Sequence, residues 1–324
     1  MKKVKVLFLP QEGTSKEWSD EVVAAIGPKH DLRIYDKNKA LAEQFEGIEV
    51  VVDMGGSVGT KEMYDVAKDV RLWQVLGTGL DHVDVASMKA KGFMVSNCPG
   101  DFSCVGLGEC AIMFIIMLSR RVQEAMQNFK TSAGMYMPFS NELEGKVLGM
   151  IGCGSSAQEL ARRAKGFGMK IRAIDIQKFD QELLDELGIE FLGGPDDTDK
   201  VIEESDYLSL HLHLNDKTKH IIDKRRIGLM KSTACIINVA RGGLVDEDAM
   251  YAALLNGELG GAGLDVFAQE PTDPTLAVYQ LPNVVTTPHI AGVTNGTARK
   301  RAGAAAVNAD RIAQGQEPLY RVDK

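Results

Sequence analysis

The 324-residue sequence lacks several features that would place it in a specialised class of protein. Its five cysteines are odd in number and form no C-x-x-C pair, which argues against a disulfide framework and predicts reduced thiols in a cytoplasmic protein. A net charge of −8 lacks the positive excess that nucleic-acid binding needs. The apolar run Cys110–Leu118 is about half as long as a membrane span and is better explained as a buried helix. We therefore expect neither a nucleic-acid partner nor a membrane.

Clustered metal ligands are equally scarce. His211 and His213 are the closest pair of histidines, and on a strand both would face the same side. A metal at this pair is one interpretation, and two ordinary core or surface histidines are the other. We expect no metal site, because a zinc site would need further cysteine or histidine ligands nearby.

The first hundred residues instead alternate between short apolar runs and helical stretches. This alternation is typical of βαβ units that build a parallel sheet. The charged start of the chain is too short in its apolar part for a signal peptide, and we expect it to be the first strand. The predicted strands are Val4–Leu9, Leu32–Tyr35, Val50–Met54, Leu72–Leu76 and Phe93–Ser96.

After Pro99–Gly100 a single long helix is expected over Val105–Gln127, followed by an irregular stretch. The alternation then restarts as a six-strand doubly wound pattern, and the chain closes with an Ala-rich amphipathic helix, Thr297–Gln314. The predicted strands of this half are Val147–Ile151, Lys170–Ile174, Tyr207–Leu210, Ala234–Asn238, Ala262–Asp265 and Val284–Thr286. The expected fold is thus α/β with two doubly wound parallel sheets.

The most informative motif is the turn that follows the strand Val147–Ile151. It has the pattern G-x-G-x-x-A, in which Gly152 permits a tight turn and Gly154 lets the backbone approach a pyrophosphate. Ala157 allows the next helix to pack closely on the strand, and the helix N-terminus attracts phosphates. This context predicts a dinucleotide site, although a plain β-turn-α unit is the simpler alternative.

An acidic residue strengthens the dinucleotide interpretation. Asp175 closes the next strand, 21 residues after Gly154, where an acid that binds the ribose hydroxyls is expected. The alternative is an incidental aspartate. We predict NAD as the cofactor, bound by a domain over residues 101–291, and a substrate domain formed by residues 1–100 and 292–324.

Three polar residues each follow an apolar strand, at the edge where ligands meet an open parallel sheet. The guanidinium group of Arg241 could bind a carboxylate through two hydrogen bonds. The alternative is an ordinary surface arginine. Glu270 could be an exposed loop acid or the partner of a histidine. His289, framed by proline and glycine, is suited to proton transfer near neutral pH. Together they are suited to hydride transfer at a carbinol carbon, with His289 handling the proton, Glu270 orienting it and Arg241 binding a carboxylate.

These motifs resemble those of the D-isomer-specific 2-hydroxyacid dehydrogenases, which include phosphoglycerate, glyoxylate/hydroxypyruvate and formate dehydrogenases. The resemblance covers essentially the whole chain, and the order and spacing of its motifs are specific. It is carried by Gly77–Asp84, Asn97–Gly100 with Glu109, Gly149–Ala157 with Asp175, Asn238–Gly242, Gly263–Phe267 through Glu270–Pro271, and Thr287–His289.

The resemblance implies Rossmann-like domains, with the cofactor domain inserted into the substrate domain, and a homodimer formed through the cofactor domains. It implies that Arg241, Glu270 and His289 are catalytic, and that Asp265 contacts the nicotinamide. The implied substrate-binding residues are Gly55, Gly56, Gly77, Thr78 and Gly79. The implied cofactor-binding residues are Gly152, Gly154, Ser155, Ser156, Asp175, Ala240 and Asp265.

Some positions depart from the family's pattern. Ser155 stands where the family often has arginine, and Met54 stands in place of an arginine that phosphoglycerate dehydrogenases usually carry. The second departure weakens phosphoglycerate as the substrate without excluding it, since Lys61 or a residue of a partner could supply the charge. The expected substrate is of the glyoxylate, hydroxypyruvate or 3-phosphoglycerate type. A different class of function, a non-catalytic NAD(H)-sensing protein like the family's transcriptional co-repressors, shares the fold. The intact set of Arg241, Glu270 and His289 favours the enzyme.

Overall fold

The computed structural model describes residues 2–54, 59–80, 83–132 and 134–324. The chain divides into two compact units, one formed by Met1–Phe102 with Thr294–Lys324 and the other by Ser103–Val293. The second unit is therefore inserted into the sequence of the first. Gly55 and Gly56, which were predicted to bind substrate, lie outside the described residues.

The described part of the first unit forms a five-stranded parallel sheet in the order β2-β1-β3-β4-β5. Its central strands are buried on both faces, which explains why they are almost continuously apolar in the sequence. The strands are β1 (Lys5–Leu9), β2 (Asp31–Ile34), β3 (Val50–Asp53), β4 (Leu72–Val75) and β5 (Met94–Ser96). The connecting helices are α1 (Lys16–Ile26), α2 (Leu41–Phe45), α3 (Lys61–Val66) and α4 (Val85–Ala90).

The second unit begins with two helices, α5 (Cys104–Ser119) and α6 (Val122–Thr131). The prediction of one long helix over Val105–Gln127 is wrong at this point. Arg121 adopts a left-handed backbone conformation with φ of 50°, which ends α5 because the helical hydrogen-bond ladder cannot continue through it. Neither glycine nor proline marks this break in the sequence.

A seven-stranded parallel sheet follows in the order β12-β11-β10-β9-β6-β7-β8. Its strands are β6 (Val147–Ile151), β7 (Lys170–Ile174), β8 (Ile189–Gly193), β9 (Tyr207–Leu210), β10 (Cys235–Asn238), β11 (Gly261–Leu264) and β12 (Val284–Thr286). The helices between them are α7 (Ser155–Gly166), α8 (Gln181–Leu187), α9 (Thr198–Glu204), α10 (Lys224–Ile227) and α11 (Glu247–Leu255). The prediction of six strands missed β8, a partly exposed edge strand with a polar Glu190 that weakens its apolar pattern.

The connections of this sheet reverse direction at β6. The chain runs from β6 outward to β7 and β8, then crosses back to β9 on the other side of β6. In open parallel sheets such a reversal leaves a crevice at the carboxyl ends of the strands, where ligands bind. The predicted α/β fold with two doubly wound parallel sheets is confirmed.

The last helix, α12 (Asn295–Ala313), packs on α1 within the first unit. Ala298, Ala302, Ala305 and Ala309 are buried and recur every three or four residues, so they form one stripe along the helix. Their small side chains allow the two helices to approach closely. Among the described residues, no helix is both long enough and apolar enough to cross a membrane.

The cysteines are buried, apart from Cys104, which is partly exposed. Burial raises the pKa of each buried thiol to about 12, because the thiolate would lose its hydration. These side chains therefore act as small apolar residues in the two cores. The buried cysteines are Cys98, Cys110, Cys153 and Cys235.

Candidate active site

The turn between β6 and α7 lies where the connections of the sheet reverse direction. Gly152 has φ of 94°, and a Cβ there would lie 2.6 Å from the carbonyl oxygen of His211, so only glycine fits. At Gly154, by contrast, a Cβ would meet no atom within 4 Å. The open side of Gly154 lies at the positive end of the α7 dipole. This arrangement fits the pyrophosphate of a dinucleotide.

Asp175 is held against the same turn from the end of β7. Its Oδ2 accepts a hydrogen bond from the backbone N–H of Cys153 at 2.6 Å, and its Oδ1 accepts one from the N–H of Gln177 at 2.8 Å. The structure thus brings together the predicted glycine turn and the predicted ribose-binding acid. A carboxylate fixed beside the turn is suited to accept hydrogen bonds from the ribose hydroxyls.

Arg241 follows β10 in a turn that is braced by Asn238. The Asn238 side chain donates to the carbonyl oxygen of Arg241 at 2.9 Å and accepts from the N–H of Ala240 at 3.1 Å. The next residue, Gly242, lies against main chain that follows β11, and a Cβ there would come within 1.9 Å of the carbonyl carbon of Phe267. This backbone contact fixes the turn that carries Arg241 to the loop that carries Glu270.

Glu270 and His289 form the central pair of the site. His289 Nδ1 lies 2.7 Å from Glu270 Oε2, and both side chains remain partly exposed. The other carboxylate oxygen of Glu270 accepts from the N–H of Phe267 at 2.9 Å, which orients the carboxylate. Nδ1 is therefore the ring nitrogen that contacts Glu270, and the proton-transfer role predicted for His289 stays a prediction.

The ionisation of Glu270 is set by two opposing effects. Burial raises the pKa of its carboxyl group. The hydrogen bonds from His289 and Phe267, together with the charges of His289 and Arg241, lower this pKa by more than burial raises it. The net pKa is below the ordinary value, so Glu270 is a carboxylate near neutral pH. The negative charge of Glu270 therefore lies directly beside the imidazole ring of His289.

Asp265 holds the loop on which His289 lies. This residue is fully buried at the end of β11. Its Oδ1 accepts from the hydroxyl of Thr287 at 2.6 Å and from the N–H of Ile290 at 2.8 Å, and its Oδ2 accepts from the N–H of Ala291 at 2.8 Å. Its own carbonyl oxygen accepts from the N–H of His289 at 2.8 Å. The predicted contact of Asp265 with the nicotinamide stays a prediction.

Burial raises the pKa of the Asp265 carboxyl group, although the hydrogen bonds from Thr287, Ala291 and Ile290 and the charge of His289 oppose this rise. His289 itself has a left-handed backbone, with φ of 55°. Such a conformation is uncommon for a residue other than glycine and persists where the surroundings enforce it. The sequence places Thr287 in the motif Thr287–His289, but its hydrogen bond to Asp265 is seen only in the structure.

The remaining predicted substrate residues lie in the first unit. Gly77, Thr78 and Gly79 follow β4, and the Asn97 side chain donates to the carbonyl oxygen of Thr78 at 2.8 Å. The N–H of Cys98 donates to the carbonyl oxygen of Gly77 at 3.0 Å. These two hydrogen bonds attach the loop to the segment that follows β5. Its role toward a substrate stays a prediction.

The paired histidines of the sequence are not alike in the structure. His211 is held between two serine hydroxyl groups, whereas His213 is exposed. Among the described ranges, no group of three or more His, Cys, Asp or Glu side chains is arranged to hold a metal ion.

The fold and the glycine turn are those of a dinucleotide-binding α/β protein, and the hydrogen-bonded pair of Glu270 and His289 lies in the loops that follow β11 and β12. Residues 112–291 match the sequence model of the D-isomer specific 2-hydroxyacid dehydrogenase NAD binding domain. The chain belongs to this family and is an NAD-dependent oxidoreductase. The predicted family, enzyme class and cofactor are confirmed.

Relatives with curated names give the same class. Hydroxypyruvate reductase of Thermotoga maritima is 36% identical over 79% of this chain and 81% of its own length. Glyoxylate reductase of Thermococcus litoralis is 32% identical over 97% of each chain. D-3-phosphoglycerate dehydrogenase of Methanocaldococcus jannaschii is 35% identical over 81% of this chain, but the match spans only 49% of that longer protein.

A solved structure shows the same architecture with ligands. The crystal structure of D-lactate dehydrogenase from Aquifex aeolicus, complexed with NAD and lactic acid, aligns with a TM-score of 0.80. The alignment covers 98% of this chain and 99% of that one at 27% identity.

Asp175 should select NAD over NADP, because its carboxylate would repel a 2′-phosphate at the position of the ribose hydroxyls. In Asp175→Ala the preference for NADH, taken as the ratio of kcat/KM values for the two cofactors, should narrow by about tenfold or more. The measurement is initial-rate kinetics with each cofactor at a fixed concentration of 2-oxo acid.

Asp180→Asn is the matched control, because Asp180 is an exposed aspartate beyond the same strand. This variant should keep the wild-type ratio. Equal efficiency of the wild-type enzyme with both cofactors would contradict the role of Asp175.

Proposed function

We propose that the protein catalyses the reversible reduction of a small 2-oxo acid to the D-2-hydroxy acid, with His289 as the acid/base. The proposal rests chiefly on the 2.7 Å contact between His289 Nδ1 and Glu270 Oε2, placed beside Arg241 at the carboxyl edge of the sheet. An acid/base pair and a guanidinium are the groups that a 2-oxo acid needs, since it presents a carbonyl oxygen and a carboxylate.

Each residue has a separate task in this reaction. NADH supplies the hydride when it is bound. Protonated His289 donates from Nε2 to the carbonyl oxygen during reduction, and neutral His289 accepts the hydroxyl proton during oxidation. Glu270 keeps the ring oriented and stabilises its charged form. Arg241 binds the carboxylate and polarises the 2-oxo group.

We assign the two units different partners. Residues 101–291 would bind NAD through Gly152, Gly154, Ser155, Ser156 and Asp175, with Ala240 and Asp265 toward the nicotinamide. Residues 1–100 and 292–324 would bind substrate, with backbone N–H groups of the loop Gly77–Gly79 donating to its carboxylate. The open side of Gly154 and the placement of Asp175 beside the glycine turn support the first assignment, and the resemblance supports the second.

The substrate that the residues favour is small and carries no phosphate. Met54 stands where a phosphate-binding arginine would be expected, and it is 4% exposed. Its sulfur accepts from the N–H of Gln11 at 3.5 Å and from the Thr14 hydroxyl at 3.7 Å, so this position is occupied by a neutral, buried side chain. Glyoxylate or hydroxypyruvate therefore fits better than the phosphorylated acid of the phosphoglycerate reaction.

The reduced thiols bear on the cellular location of the protein. Cys98, Cys110, Cys153 and Cys235 are buried and are not in disulfides. Free cysteines are typical of cytoplasmic proteins, because glutathione and thioredoxin keep thiols reduced in the cytoplasm. We therefore propose the cytoplasm as the location of the enzyme.

The substrate class is tested by following NADH oxidation with glyoxylate, hydroxypyruvate, pyruvate and the phosphate ester of hydroxypyruvate. We expect the highest kcat/KM with glyoxylate or hydroxypyruvate and at least about tenfold less with the phosphate ester, because no cation stands at position 54 to bind it. Inorganic phosphate serves as the control and should not compete with the preferred substrate. Preference for the ester together with competition by phosphate would contradict the assignment.

The proton role is tested by substitution of the central pair. His289→Gln should lower kcat by about a hundredfold or more, the usual size of a positioned acid/base. Glu270→Gln should behave differently: without the carboxylate the imidazolium is less favoured, so the pH above which reduction fails should fall while activity at low pH persists. The measurement is the pH dependence of kcat/KM for reduction.

Asp273→Asn is the control for the loss of one negative charge from the same loop, since Asp273 is exposed and bonds to Thr275 instead. Its pH profile should match that of the wild type. If the upper limb of Glu270→Gln also matches the wild type, Glu270 does not act on His289, even if His289 remains essential.

We also propose that the enzyme is a homodimer joined through the second unit, as the resemblance implies. Six large apolar side chains are exposed along α6 and the segment after it, and we call them the apolar arm: Met126, Phe129, Met135, Tyr136, Met137 and Phe139. Phe129, Tyr136 and Phe139 are 87%, 98% and 92% exposed. Isolated exposed apolar residues are normal, but a run of this kind marks an interaction surface.

A second copy of the chain is the occupant that we assign to the apolar arm. The double variant Phe129→Glu/Phe139→Glu should be a monomer of about 35.2 kDa, whereas the wild type should have twice that mass. Light scattering coupled to size exclusion measures the difference. Leu255→Glu, at a separate exposed apolar residue of the same unit, should remain dimeric. A wild-type monomer, or a double variant that still dimerises, would contradict the assignment.

A further inference from the structure

His211 lies beside the glycine turn and contacts it with both main chain and side chain. It directly follows β9, the strand next to β6, and its N–H donates to the carbonyl oxygen of Ile151 at 2.9 Å. Its carbonyl oxygen occupies the space in which a Cβ at Gly152 would lie. The backbone of His211 therefore helps to shape the turn.

The imidazole of His211 bridges two hydroxyl groups. Nδ1 lies 3.0 Å from Ser156 Oγ in the first turn of α7, and Nε2 lies 2.9 Å from Ser209 Oγ on β9. Burial of the ring lowers the pKa of this histidine to about 3, so the imidazole is neutral near neutral pH. A neutral imidazole has one N–H donor and one acceptor nitrogen, so the two serines cannot have the same role.

Ser209 decides which nitrogen carries the proton. Ser209 is fully buried, and the ring of His211 is the one side-chain hydrogen-bond partner of its hydroxyl group recorded within the described residues. A buried hydroxyl proton needs an acceptor. If Nε2 carried the proton and donated to Ser209, the proton of Ser209 would be left without one. Ser209 therefore donates to Nε2, and the ring proton is on Nδ1.

The direction of the next hydrogen bond follows from this tautomer. Nδ1–H donates to Ser156 Oγ, so the hydroxyl proton of Ser156 remains available as a donor. Ser156 lies at the N-terminal turn of α7, beside the open face of Gly154. An anion at this helix end would accept a hydrogen bond from the hydroxyl, and the alternative tautomer would turn an oxygen lone pair toward it.

We propose that His211 is a positioning residue for the pyrophosphate of NAD, acting through Ser156. The hydrogen bonds run in one direction, from Ser209 to His211, from His211 to Ser156, and from Ser156 to a phosphate oxygen. This sequence of donors gives the glycine turn a hydroxyl donor of fixed direction at Ser156.

The first test determines the tautomer of His211, and it is made on the wild-type protein. Long-range ¹H–¹⁵N spectra of histidine-labelled protein, with ADP bound, distinguish a protonated Nδ1 from a protonated Nε2, and the His211→Asn variant assigns the signal. We expect His211 to be neutral with the proton on Nδ1. A proton on Nε2 would overturn the proposal.

The second test measures binding rather than turnover, by calorimetry with ADP and with adenosine. Ser156→Ala and His211→Leu should each weaken ADP binding by about tenfold, the size of one hydrogen bond to a charged group. The double variant should be no weaker than either single variant, because both remove the same interaction. Adenosine, which lacks the pyrophosphate, should bind all variants as it binds the wild type.

Two further variants separate positioning from structural damage. His211→Asn places an amide N–H close to the position of Nδ1 and should retain most of the affinity for ADP. His213→Leu removes the exposed neighbouring histidine and should change neither affinity. An equal loss of adenosine and ADP affinity in His211→Leu, or unchanged ADP affinity in Ser156→Ala, would show that His211 does not act on the pyrophosphate.

Discussion

The buried carboxylate of Asp265 is the constraint on which the rest of the active site depends. A buried charge is unfavourable unless donors surround it, and Asp265 accepts hydrogen bonds from Thr287, Ile290 and Ala291. These donors lie on both sides of His289, so satisfying the carboxylate also fixes the left-handed backbone of the histidine. The geometry of the loop that carries His289 thus follows from burying one carboxylate at the end of β11.

The parallel sheet explains how residues far apart in the sequence come to lie at one edge. Parallel strands bring their carboxyl ends to one edge, and the loops after β6, β7, β10, β11 and β12 each place one group there. Contacts between the loops then hold each of them in place. Asp175 bonds to the turn after β6, Asp265 bonds to the loop after β12, and Gly242 lies against the loop after β11.

Much of this could be predicted from the sequence, because strands buried on both faces are continuously apolar and glycine turns have fixed spacings. The strands of the first sheet, the glycine turn and the place of Asp175 follow from such local patterns. The end of α5 at Arg121 had no local signal, and the edge strand β8 had a weak one. The contacts of His211 with Ser156, 55 residues away, leave no pattern in sequence, because only the sheet order brings them together.

The contact at Gly242 has a consequence for how this enzyme could change during evolution. Main chain meets main chain there, so the spacing between the backbone at Arg241 and the loop that carries Glu270 does not depend on how side chains repack. A side chain larger than glycine at position 242 would have to move one of these two loops. Substitutions elsewhere in the chain leave this backbone contact unchanged.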